Sequence, residues 1–256
     1  MRKVKTKAVR KLDHSERWFR DGIALCQPPA FSQSLEVDVS RVQELIARAR
    51  ERGLHLTYVH VLVRAVALVL SANPGMHVMV CGRKIHCPTE VDIALSVNAE
   101  TSVAPVLVIE SASRKSLAAI ADEVIRRVPV VQAQHEKMLA VLKRWGRAVP
   151  LSFMRRGLLR FLYRFFEFRR KGSGTFQVSI MSGADTFTTS MFNTCGILTA
   201  GKVRDRVIAA DGVPLVRPTV HLTCSADHRV WNGGDCQKFL LAVQEMLMNG
   251  SLDCEI

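Results

Sequence analysis

One turn between a strand and a helix, near the end of the chain, constrains this sequence most. Residues 219–225 alternate polar and apolar side chains, and residues 239–247 repeat apolar side chains at helical spacing. Between them lies Ala226-Asp227-His228-Arg229-Val230-Trp231-Asn232-Gly233. The pattern predicts a β-strand that passes through a histidine-containing turn directly into a helix. A neutral imidazole held on such a turn can accept a proton near neutral pH, so His228 is a candidate general base; the alternative is a structural or surface histidine.

The rest of the chain alternates helical and strand patterns, which is typical of a single α/β domain without internal repeats. Ser40 and Gln43 predict a capping box for one helix that Gly53 closes, Thr57 is a candidate cap for a second, and Ser113 for a third. Strands are predicted over 91–97, 103–109, 175–181 and 196–200, and a hairpin turn at Asp211-Gly212.

Composition excludes several classes of protein. The 256 residues are 48% hydrophobic, but no run of about 18 uncharged apolar residues predicts a transmembrane helix. The N-terminus lacks the apolar stretch of a secretory signal, and seven cysteines without a Cys-x-x-Cys pair indicate reduced thiols, so we expect a cytoplasmic protein. Cys81, His86 and Cys87 could suggest a metal site, but the edge of a hairpin explains them as well, and no metal is predicted.

The octapeptide resembles the Asp-His-Arg-Val-x-Asp-Gly signature of the 2-oxoacid dehydrogenase (dihydrolipoyl) acyltransferase catalytic domain, a family related to chloramphenicol acetyltransferase. Further segments resemble that family in the same order, over about residues 8–128 and 172–250. They are Val9-Arg10-Lys11, Leu35–Ser40, Val63–Leu68, Val103–Val106, Ser113–Leu117, Gly174–Ser179 and Arg204-Asp205-Arg206.

This resemblance implies a chloramphenicol acetyltransferase-like two-layer sandwich, in which helices pack on a mixed β-sheet, over a single domain spanning 1–256. It implies acyl transfer from or to a coenzyme A thioester, with His228 as the general base. Ser179 occupies the position of the family's hydroxyl that stabilises the tetrahedral oxyanion; the alternative is a strand serine bonded to backbone. In the family these two residues come from neighbouring subunits of a trimer, so a homotrimer is expected.

The resemblance covers no lipoyl domain and no subunit-binding domain. We therefore expect a stand-alone acyltransferase whose acyl donor or acceptor arrives in trans, as coenzyme A, a carrier protein or a lipoylated protein. The acyl group, and whether a thiol, hydroxyl or amine accepts it, stay open.

Asn232 departs from the family signature, which has an aspartate at this position. Asparagine keeps the shape and an acceptor oxygen but loses the charge. One interpretation is an altered local network that still positions His228; the other is a weakened or non-catalytic relative. Arg10 is the candidate partner of the family's aspartate, and it lacks that carboxylate here.

An insertion at about 130–172 is the second departure. Residues 143–171 hold ten basic side chains and one acidic one, a net +9 of the chain's +13. On one helix, Arg156, Arg160 and Arg164 would share a face. A second face would hold Leu158, Phe161, Leu162, Phe165 and Phe168. Such a segment could lie on an anionic membrane surface, attract an acidic carrier protein or the phosphates of coenzyme A, or pack on the protein as an ordinary amphipathic helix. A non-catalytic relative that binds a membrane or a protein through this segment is the rival hypothesis. No recognisable nucleic-acid-binding motif accompanies the basic charge, and no nucleic acid is predicted.

Overall fold

A computed structural model describes residues 11–26, 28–98, 104–210 and 212–255. The resemblance at Val9 and Arg10, the start of the strand predicted from Val103, and Asp211 of the predicted hairpin turn lie outside the described residues. The helices are α1 (His14–Cys26), α2 (Ser40–Glu51), α3 (Tyr58–Ala72), α4 (Leu117–Trp145), α5 (Ser152–Leu162), α6 (Phe166–Ser173) and α7 (Gly233–Met248). The strands are β1 (Ala30–Asp38), β2 (Met79–Cys81), β3 (Lys84–His86), β4 (Ile93–Ser96), β5 (Val106–Ile109), β6 (Phe176–Ile180), β7 (Gly196–Ala200), β8 (Arg204–Ala210) and β9 (Val213–Asp227).

A seven-stranded mixed sheet forms one layer, in the order β1-β9-β7-β6-β4-β5, with β8 paired to the first half of β9. Strand β6 is parallel to both of its neighbours, β4 and β7, and the remaining pairs are antiparallel. Strands β2 and β3 form a separate hairpin. Strand β9 is the longest at 15 residues, and it carries the chain from the β8–β9 hairpin across the sheet to the histidine turn.

Helices α2, α3 and α7 pack over this sheet and form the second layer. Helix α3 is apolar on nearly every side and is buried along most of its length, as its sequence predicts. Its side chains join those of β4, β6, β9 and α7 in one hydrophobic core. The predicted two-layer α/β sandwich with a mixed sheet is confirmed.

The predicted helix caps and strands were partly correct. Thr57 caps α3 in a capping box with His60, and β6 and β7 lie where they were predicted. The capping box at Ser40 was wrong, because Asp38 Oδ1 accepts from Ser40 N at 2.8 Å and from Ser40 Oγ at 2.6 Å instead. The cap of the third helix is Ser116, whose Oγ accepts from Ala119 N, and Ser113 lies in the 3-10 turn before it.

The basic segment forms two helices, α5 and α6, rather than the one helix expected. Asp21 of α1 anchors α5: its carboxylate accepts from Arg155 at 2.8 Å, from Arg156 at 2.9 Å and from Ser152 Oγ at 2.9 Å. Burial opposes the charge of Asp21, but these hydrogen bonds outweigh it and lower the pKa of the carboxyl group. Arg155 and Arg156 therefore hold α5 against α1.

Candidate active site

The turn that carries His228 is fixed by a buried carboxylate. Asp227, the last residue of β9, lies 1% exposed and accepts from Arg229 Nε at 2.9 Å and Nη2 at 2.6 Å. The backbone N of Arg229 also donates to Asp227 Oδ1, at 3.1 Å. This bidentate pair raises the pKa of the Arg229 guanidinium, and it holds the residues on both sides of His228 in one arrangement.

Trp231 fixes the other end of the turn. Its indole is buried against the rings of Phe176 and Phe239, and its Nε1 donates to the carbonyl of Met76 at 2.8 Å. Its backbone N donates to the carbonyl of Asp227 at 2.9 Å. The carbonyl of Trp231 is therefore held rigidly beside the histidine ring.

His228 Nδ1 lies 3.0 Å from the carbonyl oxygen of Trp231. A carbonyl oxygen can only accept, so Nδ1 carries the hydrogen, and the neutral imidazole has its lone pair on Nε2. The backbone N of His228 donates to the carbonyl of Pro29 at 2.8 Å, and the ring contacts Phe31 with 4.7 Å between centroids. The side chain is exposed, and Nε2 makes no hydrogen bond with any residue that the structure describes. This geometry presents a basic nitrogen at a fixed place on the surface.

Ser179 lies half-buried on β6, and its Oγ makes no hydrogen bond within the described part of the chain. It pairs with Thr199 of β7, which pairs with Thr223 of β9. Two strand spacings of about 4.8 Å and five residues of about 3.3 Å along β9 place Ser179 about 19 Å from His228. The two side chains of one chain therefore cannot act on the same atom.

The surroundings of Ser179 are held by polar contacts from the segment between β6 and β7. Gln177 exchanges hydrogen bonds with the backbone of Phe192, donating at 2.9 Å and accepting at 3.2 Å. Thr199 Oγ1 donates to the carbonyl of Phe187 at 2.6 Å. The loop is thus fastened to the sheet on either side of Ser179.

Asn232 is the N-cap of α7. Its Oδ1 accepts from Asp235 N and its own N donates to Asp235 Oδ2, both at 3.0 Å. Asparagine and aspartate are equally good N-caps, and among the described residues the hydrogen bonds of the Asn232 side chain are with Asp235 rather than with a cation. The structure thus gives Asn232 a positioning role at the start of α7 and no hydrogen bond to His228.

Asp227, Arg229 and Trp231 were not among the site residues predicted from the sequence. The Asp-x-Arg spacing could have indicated the first pair, whereas nothing in the sequence shows that a tryptophan carbonyl would face the imidazole.

The cysteines that could suggest a metal site lie in and just after the β2–β3 hairpin. Cys81 ends β2 and accepts from Arg169 at 3.3 Å, and Cys87 follows β3. Within residues 11–26, 28–98, 104–210 and 212–255, no three His, Cys, Asp or Glu side chains are grouped to bind a metal. Within the same ranges, the helices lack the combined length and apolar character that crossing a membrane requires.

Comparison with known proteins supports the resemblance. Residues 24–140 and 171–252 match the family model of the 2-oxoacid dehydrogenases acyltransferase (catalytic domain). A dihydrolipoyllysine-residue succinyltransferase component of the 2-oxoglutarate dehydrogenase complex from Rickettsia bellii is 24% identical over 222 residues, which are 83% of this chain and 47% of that protein. The chain spans about half the length of the curated relatives it matches.

Solved structures share the fold. A probable dihydrolipoamide acetyltransferase from Listeria monocytogenes superposes with a TM-score of 0.73 at 20% identity, covering 95% of each chain. A dihydrolipoamide acetyltransferase from Azotobacter vinelandii gives 0.71 at 17% identity, covering 96% and 94%. That structure was used to investigate the roles of a serine, a histidine and an asparagine in catalysis, and the asparagine follows the histidine by four residues.

A chloramphenicol acetyltransferase gives a TM-score of 0.52 at 13% identity, covering 93% of this chain and 96% of that one. The fold is therefore that of the chloramphenicol acetyltransferases. Because the family model matches well over half of the sequence, this chain belongs to the catalytic-domain family of the 2-oxoacid dehydrogenase acyltransferases.

Proposed function

We propose that the protein moves an acyl group between a coenzyme A thioester and the thiol of a dihydrolipoyl group that another protein domain supplies. The observation that carries this proposal is the hydrogen bond from His228 Nδ1 to the Trp231 carbonyl, which leaves Nε2 as the base. The relatives are named for dihydrolipoyllysine residues, which favours a thiol over the hydroxyl and amine acceptors.

In this mechanism, Nε2 of His228 removes the proton from the attacking thiol, and the sulfur forms a bond to the thioester carbonyl carbon. The carbonyl electrons move to oxygen and give a tetrahedral oxyanion. Collapse of this intermediate breaks the original carbon–sulfur bond, and the imidazolium returns its proton to the departing thiolate. Because the same nitrogen serves both directions, either thioester can be the donor.

The oxyanion needs a fixed donor, and we assign this role to Ser179 of a neighbouring subunit. The separation of about 19 Å within one chain, from strand spacing and rise, supports a serine from another subunit. An oligomer is supported by the β8–β9 hairpin, whose Val207 and Val216 are 70% and 68% exposed. A homotrimer, the expected assembly, would place a serine of one subunit against the histidine of the next.

Asn232 does not argue for loss of activity. The Azotobacter vinelandii relative has an asparagine at the same four-residue spacing from a histidine, and both were studied for their roles in catalysis. Here the cap at Asn232 fixes the start of α7 immediately after Trp231, whose carbonyl orients His228. This supports an enzyme rather than the non-catalytic rival.

The direct test is acyl transfer from acetyl- and succinyl-coenzyme A to dihydrolipoamide, followed by release of the coenzyme A thiol. His228→Ala should lower turnover by the ~10²–10⁴-fold typical of a positioned base. His55→Ala, which removes an exposed histidine elsewhere, is the matched control and should keep wild-type turnover. Wild-type turnover in a folded His228→Ala protein, or no transfer by wild type to any thiol, would refute the proposal.

Binding to an anionic membrane surface is a second candidate function, which an exposed apolar row on α5, α6 and the turn between them favours. Its members are Phe153, Met154, Leu158, Phe161, Phe165 and Phe168, between 44% and 71% exposed. Apolar side chains beside arginines are typical of helices that lie at a lipid surface. Phe153→Gln with Phe161→Gln should reduce co-sedimentation with anionic vesicles; if wild-type protein does not co-sediment, this function is wrong.

A further inference from the structure

Four arginines converge on one open cavity beside the histidine turn. The cavity has a volume of about 360 Å³ and lies between the end of α1, the β2–β3 hairpin, the bend from α5 to α6, and the turn after β9. Its basic side chains are Arg160, Arg164, Arg169 and Arg229, and its lining residues include no aspartate or glutamate. Its size is in the range of small-molecule sites.

Arg169 is the exception among the buried charges of this protein. The buried Asp, Glu, Lys and Arg side chains that the structure describes are Asp21, Asp92, Glu123, Arg155, Arg169 and Asp227. Five of them have an oppositely charged partner within 4.0 Å. Arg169 instead donates to the carbonyls of Val80 and Asn193 and to Cys81 Sγ, and no described carboxylate pairs with it. These neutral acceptors orient the guanidinium but leave its charge uncompensated, which is costly for a buried group unless an anion binds.

The other three arginines add to or preserve the positive charge of the cavity. Arg160 and Arg164 are exposed at the rim and form no ion pair with the described residues. The charge of Arg229 is balanced by Asp227, so the cavity carries a net charge of about three positive units. Thr194 adds a polar wall.

The position of the cavity links it to the proposed reaction. Arg229 follows His228 directly, and Pro28, which also lines the cavity, precedes the Pro29 carbonyl that accepts from His228 N. Arg160 and Arg164 lie in residues 141–170, between the two segments that match the family model. Most of the basic set, Arg169 included, therefore lies outside the segments that match the family model.

We infer that this cavity binds phosphate groups, and that it holds the phosphate-bearing part of a thioester substrate, such as coenzyme A or a phosphopantetheine carrier, beside His228. The substrate assignment rests on the proposed function; phosphate binding does not. Guanidinium groups suit phosphate because their planar donors match its oxygens.

Calorimetric titration with inorganic pyrophosphate tests the site without catalysis. Wild-type protein should bind one pyrophosphate per chain, more weakly as salt increases. Arg160→Gln with Arg164→Gln should raise Kd by at least ~10-fold, since charge-assisted hydrogen bonds contribute about 1.4 kcal/mol or more and that is a tenfold change. Arg126→Gln, which removes an exposed arginine from α4, should leave Kd unchanged. Arg160→Lys with Arg164→Lys should restore part of the affinity.

Further titrations separate the possible ligands. Coenzyme A should lose affinity in the double glutamine variant, whereas pantetheine, which lacks phosphate, should not. Equal pyrophosphate affinity in wild type and the double variant, or no saturable binding, would overturn the inference. So would arginine-dependent binding to phosphatidylglycerol vesicles without binding to pyrophosphate. Pyrophosphate binding that persists in a chain without acyltransferase activity would refute the proposed reaction and leave the phosphate site standing.

Discussion

Mixing two inactive variants should recover activity if His228 and Ser179 act across a subunit interface. Within one chain these residues lie about 19 Å apart on the strand register, too far to contact one tetrahedral intermediate. Each site would therefore take its histidine from one subunit and its serine from the next. A His228→Ala chain still supplies a serine, and a Ser179→Ala chain still supplies a histidine.

The size of the recovery follows from this arrangement. In an equal, fully exchanged mixture, half of the histidine positions and half of the serine positions are intact, so about one quarter of the sites hold both. Each variant alone should be reduced by about 10²-fold or more, because removing a base or an oxyanion donor has that effect. The mixture should then reach about 25% of wild-type turnover, far above the sum of its components.

The measurement needs complete subunit exchange, which co-expression with two affinity tags provides. Coenzyme A thiol release is followed as the ratio of the two chains is varied. As a control, wild type is mixed with a chain that carries both substitutions. Activity should follow the square of the wild-type fraction for a shared site and the fraction itself for a site within one chain. A mixture of single variants no more active than its components would refute the shared site.

Two other predictions concern stability. Asn232→Ala removes the acceptor of Asp235 N and should lower the free energy of unfolding by about 1 kcal/mol. Asn232→Asp keeps the cap and should change that free energy by less than about 0.5 kcal/mol. Urea denaturation at fixed protein concentration distinguishes the two variants, and an equal loss in both would contradict the capping role. His77 is buried against Thr175, and burial lowers its pKa to about 4. Between pH ~6.5 and ~4 the unfolded chain binds a proton that the folded chain does not, so this group should reduce stability as pH falls, by about 1.4 kcal/mol per unit. Replacing it in His77→Gln should flatten the pH dependence of unfolding in that window, and an unchanged slope would be evidence against the assignment.

The fold could be predicted largely because local patterns and the family resemblance agreed. The apolar helix α3 is buried along most of its length, and β6 and β9 form where their sequence patterns predict strands. The alternation of β9 does not carry over to burial, because Leu222 to Asp227 are buried on both faces of the sheet. Errors arose where a side chain had two possible partners. The Ser40 hydroxyl could cap the helix or donate to the carboxylate of Asp38, two residues before it. Ser40 donates to Asp38 because of the path that the chain takes from β1 into α2.

In the candidate site too, features set by neighbouring residues in the sequence could be predicted, whereas features set by distant residues could not. His228 could be found from the sequence because its turn is continuous in the chain. Its tautomer could not, since it depends on a carbonyl that the burial of Trp231 holds in place. The basic segment shows the limit most clearly. The four-residue spacing of Arg156, Arg160 and Arg164 predicts one shared face, yet Arg156 pairs with Asp21 whereas Arg160 and Arg164 form no ion pair with the described residues. The sequence gives the number of cationic side chains. Only the folded structure shows which of these cations are paired with carboxylates and which remain unpaired and able to bind an anionic ligand.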